Sequence, residues 1–188
     1  MTQTRVRNDL FDNKLGHDRG ATVFVFAAWY LVKCFFFLSP LPWPSRVRVW
    51  WLRLFGGRVG RDVYLKPRVN IHYPWKISIG DYTWVGEEVC IINFESVDIG
   101  KHCCLSQRAT VCAGNHDYRD PAMRYRNAPI TLADGCWIAC GAFVGPGITV
   151  GVDAMVSAGS ILNANVADRV IVQGNPAKPV GYRYKDLG

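Results

Sequence analysis

Residues 132–166 read LADGCWIACGAFVGPGITVGVDAMVSAGSILNANV, with an aliphatic side chain every sixth residue: Leu132, Ile138, Val144, Val150, Val156 and Leu162. A small residue often follows (Ala133, Ala139, Gly145, Gly151, Ser157). Four residues after each aliphatic one stand Cys136, Ala142, Ile148, Ala154, Ser160 and Val166. Neither a helical period nor strand alternation produces this pattern. A six-residue unit is one short strand plus one turn. Three units close a triangular coil, so that every eighteenth residue stacks on its predecessor at about 4.8 Å. The aliphatic position fills the interior and the small one fits where the wall turns. Gly80, Gly86, Gly100, Gly145 and Gly151 are expected to supply turn conformations that a Cβ disfavours.

The period extends upstream. Ile79, Val85 and Ile91 repeat it, then Ile99, Leu105 and Val111 after a two-residue slip, with a weaker start at Val59, Leu65 and Ile71. Residues 59–166 therefore give on the order of six rungs. The expected organisation is an N-terminal helical segment (1–58), a parallel β-helix (59–176) with an ejected loop (117–130), and a short C-terminal tail (177–188). Between Val111 and Leu132 the period fails, in the text VCAGNHDYRDPAMRYRNAPIT that runs from Val111 to Thr131. A loop thrown out of a regular scaffold is where function concentrates. It opens on His116, whose imidazole is suited to take a proton from a hydroxyl or amine near neutral pH.

The 188 residues carry 22 Lys+Arg against 15 Asp+Glu, and the +7 excess lies entirely in the first third. There the basic residues interleave with apolar ones rather than forming a nucleic-acid reading surface. Ala21–Leu38 (ATVFVFAAWYLVKCFFFL) is at the lower limit for a membrane span, and it makes a poor secretory signal because it starts late and lacks a small-residue cleavage site. The prolines at 40, 42 and 44 break any helix there. Ser45–Phe55 (SRVRVWWLRLF) follows, with Ser45 as expected N-cap and Gly56-Gly57 as stop. Residues 21–55 are expected to lie on a membrane surface, with Trp and Phe in the interface and Arg46, Arg48 and Arg53 on anionic head groups. Packing of the same helices against the protein or a sister subunit is the alternative. The seven cysteines (34, 90, 103, 104, 112, 136, 140) form no CxxC pair and read as reduced thiols of a cytoplasmic chain, mostly small core fillers.

The hexapeptides, Asn93-Phe94, Gly114-Asn115-His116-Asp117, Asp134-Gly135-Cys136-Trp137-Ile138, Pro146–Gly151 and Gly174-Asn175-Pro176-Ala177-Lys178 together resemble the left-handed parallel β-helix acyltransferases. The maltose/galactoside branch is the nearest, and within it the colanic acid and exopolysaccharide biosynthesis acetyltransferases, which Phe36–Pro44 and Arg68–Trp75 also fit. The resemblance implies acetyl transfer from acetyl-CoA to a sugar hydroxyl in a homotrimer, with no metal and with active sites between subunits. It implies His116 as base, Asn93 near the acceptor hydroxyl, Trp137 beside the CoA arm and Ala158 as a backbone contact to it. Cys140 stands where serine is frequent, near the thioester. Asn163-Ala164 replace a Thr-Lys pair that meets the CoA phosphates, which leaves Lys178 as the nearest basic candidate. No glutamate occurs in the loop, and Asp117, though available to the substrate, points away from His116 if the chain there is extended.

Three readings compete with sugar O-acetylation. N-acetylation of an amino-sugar nucleotide uses the same base chemistry. Zinc binding through His72, His102 and His116 is disfavoured because these occupy different positions of their hexapeptides. A non-catalytic scaffold on the membrane is the third. The acceptor, free or lipid-linked, would be met by a cytoplasmic protein held peripherally on the inner face of the membrane.

Overall fold

The computed structural model describes residues 5–184; the ends of the expected N-terminal segment and C-terminal tail, 1–4 and 185–188, lie outside the described residues. The fold is mainly β, a parallel β-helix of three faces. The first face holds Arg58–Val59, Ile77–Ile79, Val97–Ile99, Ile130–Leu132 and Thr149–Val150. The second runs from Tyr64–Leu65 through Trp84–Val85, Cys104–Leu105, Trp137–Ile138 and Met155–Val156 to Val170–Gly174, which pairs antiparallel with Ala177–Tyr182. The third holds Asn70–Ile71, Cys90–Ile92, Thr110–Cys112, Phe143–Val144 and Ile161–Leu162.

The aliphatic column fills the interior as its spacing requires. Leu65, Val85, Leu105, Val111, Leu132, Ile138, Val144, Val150 and Val156 are fully buried. So are the small partners four residues on, Ala109, Cys136, Ala142 and Ala154. Cys103 and Cys136 stack in that second column, their sulfurs 3.7 Å apart as free thiols, whereas Cys34 and Cys140 are exposed.

Two expectations about the coil are corrected. The eighteen-residue stack holds only in the later turns, where Thr131 pairs with Thr149 and Phe143 with Ile161. In the earlier turns the partners are twenty apart, Leu65 on Val85 and Ile71 on Ile91. Both extra pairs of residues fall at the corner between the third and first faces, the corner from which the loop later leaves. The second correction concerns the glycines. None of Gly80, Gly86, Gly100, Gly145 or Gly151 has a positive φ; that conformation falls two residues later, on Tyr82, Glu88, His102, Gly147 and Asp153. Gly80 is needed instead for close approach, since a Cβ there would lie 2.6 Å from the backbone of Gly100 and Lys101 on the next rung.

Helix α1 (Val23–Val32) starts at Thr22, whose hydroxyl accepts from Val25 N, and runs on into a π-helical turn at Lys33–Phe37; α2 spans Ser45–Leu54. Both close the first rung of the coil. Trp29, Phe37 and Leu52 are fully buried against it, and the Trp29 indole donates to the carbonyls of Ile71 and His72. Ser45 is not the N-cap. It is the first helical residue, after Pro44, and its hydroxyl accepts from Leu65 N at 2.8 Å, fastening α2 to the coil. Arg48 is also corrected: it is 1 % exposed and donates to the carbonyls of Phe36 and Trp43, so no lipid head group can reach it. Arg53 is exposed but holds Val59 O and Gly60 O, leaving Arg46 as the one of the three whose side chain has no hydrogen-bond partner among the described residues. No helix among the described residues is long and apolar enough to cross a membrane.

Candidate active site

Three successive turns of the third–first corner build the site from below. Asn93 fastens the first to the second: its carboxamide oxygen accepts from Tyr73 N at 2.9 Å and its nitrogen donates to Tyr73 O at 2.5 Å. Asn93 is 0 % exposed, and these two bonds make its amide a brace of the corner. Phe94 then packs against Gly114, where a Cβ would come within 2.8 Å of its ring. That contact explains the glycine two residues before His116.

The loop is an antiparallel hairpin. Ala128 N donates to Ala113 O, Arg126 N to Asn115 O, and Asp117 N to Arg124 O, which sets His116 opposite Tyr125. The two rings stack at 4.9 Å and 29°. His116 Nδ1 lies 2.5 Å from the carbonyl oxygen of Met123, a residue with φ of 50° at the hairpin tip. The Asp117 carboxylate accepts from Arg119 N and makes no contact with His116, as its place in the extended chain implies.

Sequence reasoning missed one wall of this site. Residues 7–20 form a strap across the loop: Arg7 N donates to Pro121 O, and Phe11 sets its ring edge against both His116 (5.4 Å) and Tyr125 (5.3 Å). His17 packs on Phe94 and Tyr125 and hydrogen-bonds the Tyr73 hydroxyl at 3.0 Å. Burial, followed by the charges of Lys76 and Arg19, holds the His17 imidazole below the usual histidine range. Burial, with Lys33 and His17 nearby, pushes His72 down to about 4. No local signal marks Phe11 or His17, whose partners are far along the chain. Tyr125 could have been suspected, because it falls in the segment where the period fails.

The remaining candidates lie elsewhere. Trp137 stands on the second face, 36 % exposed, its indole donating to Ser106 Oγ at 2.9 Å. Cys140 and Ala158 stack at the corner between the second and third faces, where Gly159 N donates to Cys140 O. Both are exposed, and neither backbone N–H has an intramolecular acceptor among the described residues. Lys178 is exposed on the terminal hairpin opposite Gln173. Asn163 is exposed just beyond Ile161–Leu162, on the same edge as the loop but in a later turn. Within one chain, the third face therefore separates His116 from Cys140 and Ala158. His102 stacks on Tyr82 at the first–second corner, away from His72 and His116, so the three histidines do not converge. Among the described residues no group of three His, Cys, Asp or Glu side chains could hold a metal ion.

WcaF of Escherichia coli K12, a colanic acid biosynthesis acetyltransferase by name, is 35 % identical over 159 residues, covering 85 % of this chain and 87 % of its own length. The chain belongs to the hexapeptide-repeat acetyltransferase family. It is an acyltransferase by that membership, and the co-substrate of the family is acetyl-CoA. The galactoside O-acetyltransferase of E. coli K12 is 25 % identical over 126 residues, covering 65 % of this chain and 62 % of its own length. Among solved structures, the hexapeptide-repeat acetyltransferase VCA0836 of Vibrio cholerae, complexed with acetyl-CoA, shares the fold at a TM-score of 0.79 with 23 % identity, over 92 % of this chain and 96 % of its own. No family model matches.

Proposed function

We propose that this acetyltransferase modifies a sugar hydroxyl during polysaccharide assembly, with His116 as general base. The carrying observation is the hydrogen bond between His116 Nδ1 and Met123 O. A carbonyl only accepts, so Nδ1 holds the ring proton and Nε2 keeps a free lone pair. Acetyl-CoA supplies an acetyl group already activated as a thioester. His116 Nε2 takes the hydroxyl proton as the acceptor oxygen bonds to the acetyl carbonyl carbon. As the carbon–sulfur bond breaks, His116 returns that proton to the departing sulfur. No acyl-enzyme is needed when both substrates are held together. The names of the relatives, colanic acid biosynthesis and galactoside O-acetylation, support a sugar hydroxyl as acceptor.

The CoA arm is assigned to Trp137, to the free backbone N–H groups at Cys140 and Ala158, and to Asn163 and Lys178 for its polar end. Because the third face parts His116 from Cys140 and Ala158 in one chain, a homotrimer brings one copy's loop against the next copy's CoA-binding corner.

The helical face is assigned to an anionic membrane surface. Residues 19–61 contain seven basic and no acidic residues. Phe24 is 88 % exposed and Leu31 71 %, with Phe35, Leu38, Trp50 and Leu54 also exposed. On α2, Arg46, Trp50, Arg53 and Leu54 share the outward face at helical spacing. From Val23 to Phe37 the helix runs about 22 Å, short of the roughly 30 Å hydrocarbon core, so it lies in the interface.

The enzyme reading is tested by release of CoA thiol from acetyl-CoA with a panel of sugar acceptors. Turnover is lost in His116→Ala and kept in His102→Ala. An unchanged rate in His116→Ala, or no turnover and no CoA binding across the panel, overturns it.

A further inference from the structure

The loop carries a feature that acetyl transfer to a neutral sugar does not use. On the hairpin lies an open groove of about 530 Å³ lined by Asp117, Arg119, Asp120, Arg124, Tyr125 and Arg126. Tyr125 both lines the groove and stacks on His116, and Asp117, the next residue along the chain from His116, lines it too.

The charges in it are unequally satisfied. Asp120 accepts from Ala122 N and from Arg124 Nε, so the Arg124 guanidinium is matched. Asp117 accepts from the Arg119 backbone. The side chains of Arg119 and Arg126 have no carboxylate partner among the described residues; Arg119 lies only over the Tyr118 ring. Three guanidiniums thus face two carboxylates, with two of the guanidiniums free. A planar guanidinium with free N–H groups is suited to bind an oxyanion in bidentate fashion.

We infer that the acceptor carries an oxyanion, a carboxylate or a phosphate, which Arg119 and Arg126 hold while a hydroxyl of the same molecule meets His116 Nε2. The inference rests on His116 as base and names the class of acceptor. A hexuronate would supply a carboxylate and a sugar phosphate a phosphoryl group.

Two measurements separate this from the reading beneath it. In isothermal titration of the full chain, glucuronate or glucose 1-phosphate is expected to bind about tenfold more tightly than glucose, a factor worth about 1.4 kcal/mol. The difference shrinks with added salt, and it disappears in the double variant Arg119→Gln/Arg126→Gln but persists in Lys101→Gln. Which anion binds identifies the source of charge. In turnover, the double variant raises KM about tenfold more for the anionic acceptor than for glucose. Equal binding of all three probes, or an equal rise in KM for glucose, overturns the inference and leaves His116 untouched. Turnover surviving in His116→Ala overturns the base assignment, while the titration still decides the groove.

Discussion

His116 and Tyr125 stand opposite one another on the two arms of the loop hairpin, their rings stacked at 4.9 Å and 29°. The imidazole is thereby gripped from two directions, by the aromatic face and by the Met123 carbonyl on Nδ1. Orientation is a large part of catalysis when a base must meet one hydroxyl, and a displacement near 1 Å costs about a hundredfold. Tyr125→Ala is expected to lower kcat by about that factor with KM for acetyl-CoA unchanged. Tyr125→Phe, which keeps the stack, should stay near the parent rate. Equal losses in the two variants would show that the hydroxyl, not the stack, matters.

The separation of His116 from Cys140 and Ala158 on one chain makes a direct prediction about assembly. His116→Ala and Ala158→Arg are each expected to be inactive. Co-refolded as a mixture, they should regain turnover, because some interfaces then pair an intact loop with an intact corner. A mixture as dead as its components would put the whole site in a single chain.

The glycines differ in what they protect. Gly80→Ala forces a Cβ to within 2.6 Å of backbone on the next rung, and is expected to destabilise by about 3 kcal/mol as overpacking that no rotamer relieves. Gly159→Ala meets nothing within 4 Å and carries only a φ of 68°, a cost of about 1 kcal/mol. Urea unfolding of the two variants ranks them, and the reverse order would refute the close-approach account.

Below neutrality His72 sets a limit on stability. Folded, it stays neutral down to about 4; unfolded, it binds a proton near 6.5. The unfolded chain therefore binds more protons between these values, so the contribution is complete above about 6.5 and is lost as pH falls toward 4. The thermal midpoint of the parent should drop over that range, and that of His72→Gln should drop less. Parallel pH curves would remove His72 from the explanation.

On vesicles, the chain is expected to partition onto anionic phosphatidylserine-containing bilayers more than onto neutral phosphatidylcholine. The preference should weaken with salt and in Arg46→Gln, and binding to both vesicles should weaken in Phe24→Ser/Leu31→Ser. If neither vesicle retains the parent protein in sedimentation, the helical face has another partner.

Some of this was readable in residue types and some was not. The loop could be found because it interrupts the period, and the two-residue slip before Ile99 already marks the corner from which it leaves. Asn93 carried no local sign of its packing, since only the register shows its amide closed on the Tyr73 backbone. Arg48 has the chemistry of a head-group ligand, yet neighbouring carbonyls that the folded chain brings to it take its donors.

By itself the sequence determined the coil, because a six-residue alternation of aliphatic and small side chains buries its apolar groups in one way and repeats it rung by rung through neighbours close in the chain. It also determined the loop and its histidine. Only the tertiary structure decided that Phe11 and His17 cross over to pack on the loop, that Tyr125 stacks on His116, and that the His116 edge and the Cys140 edge stand apart. Those relations join residues tens of positions distant or on different faces, and no local pattern of side chains encodes such distances.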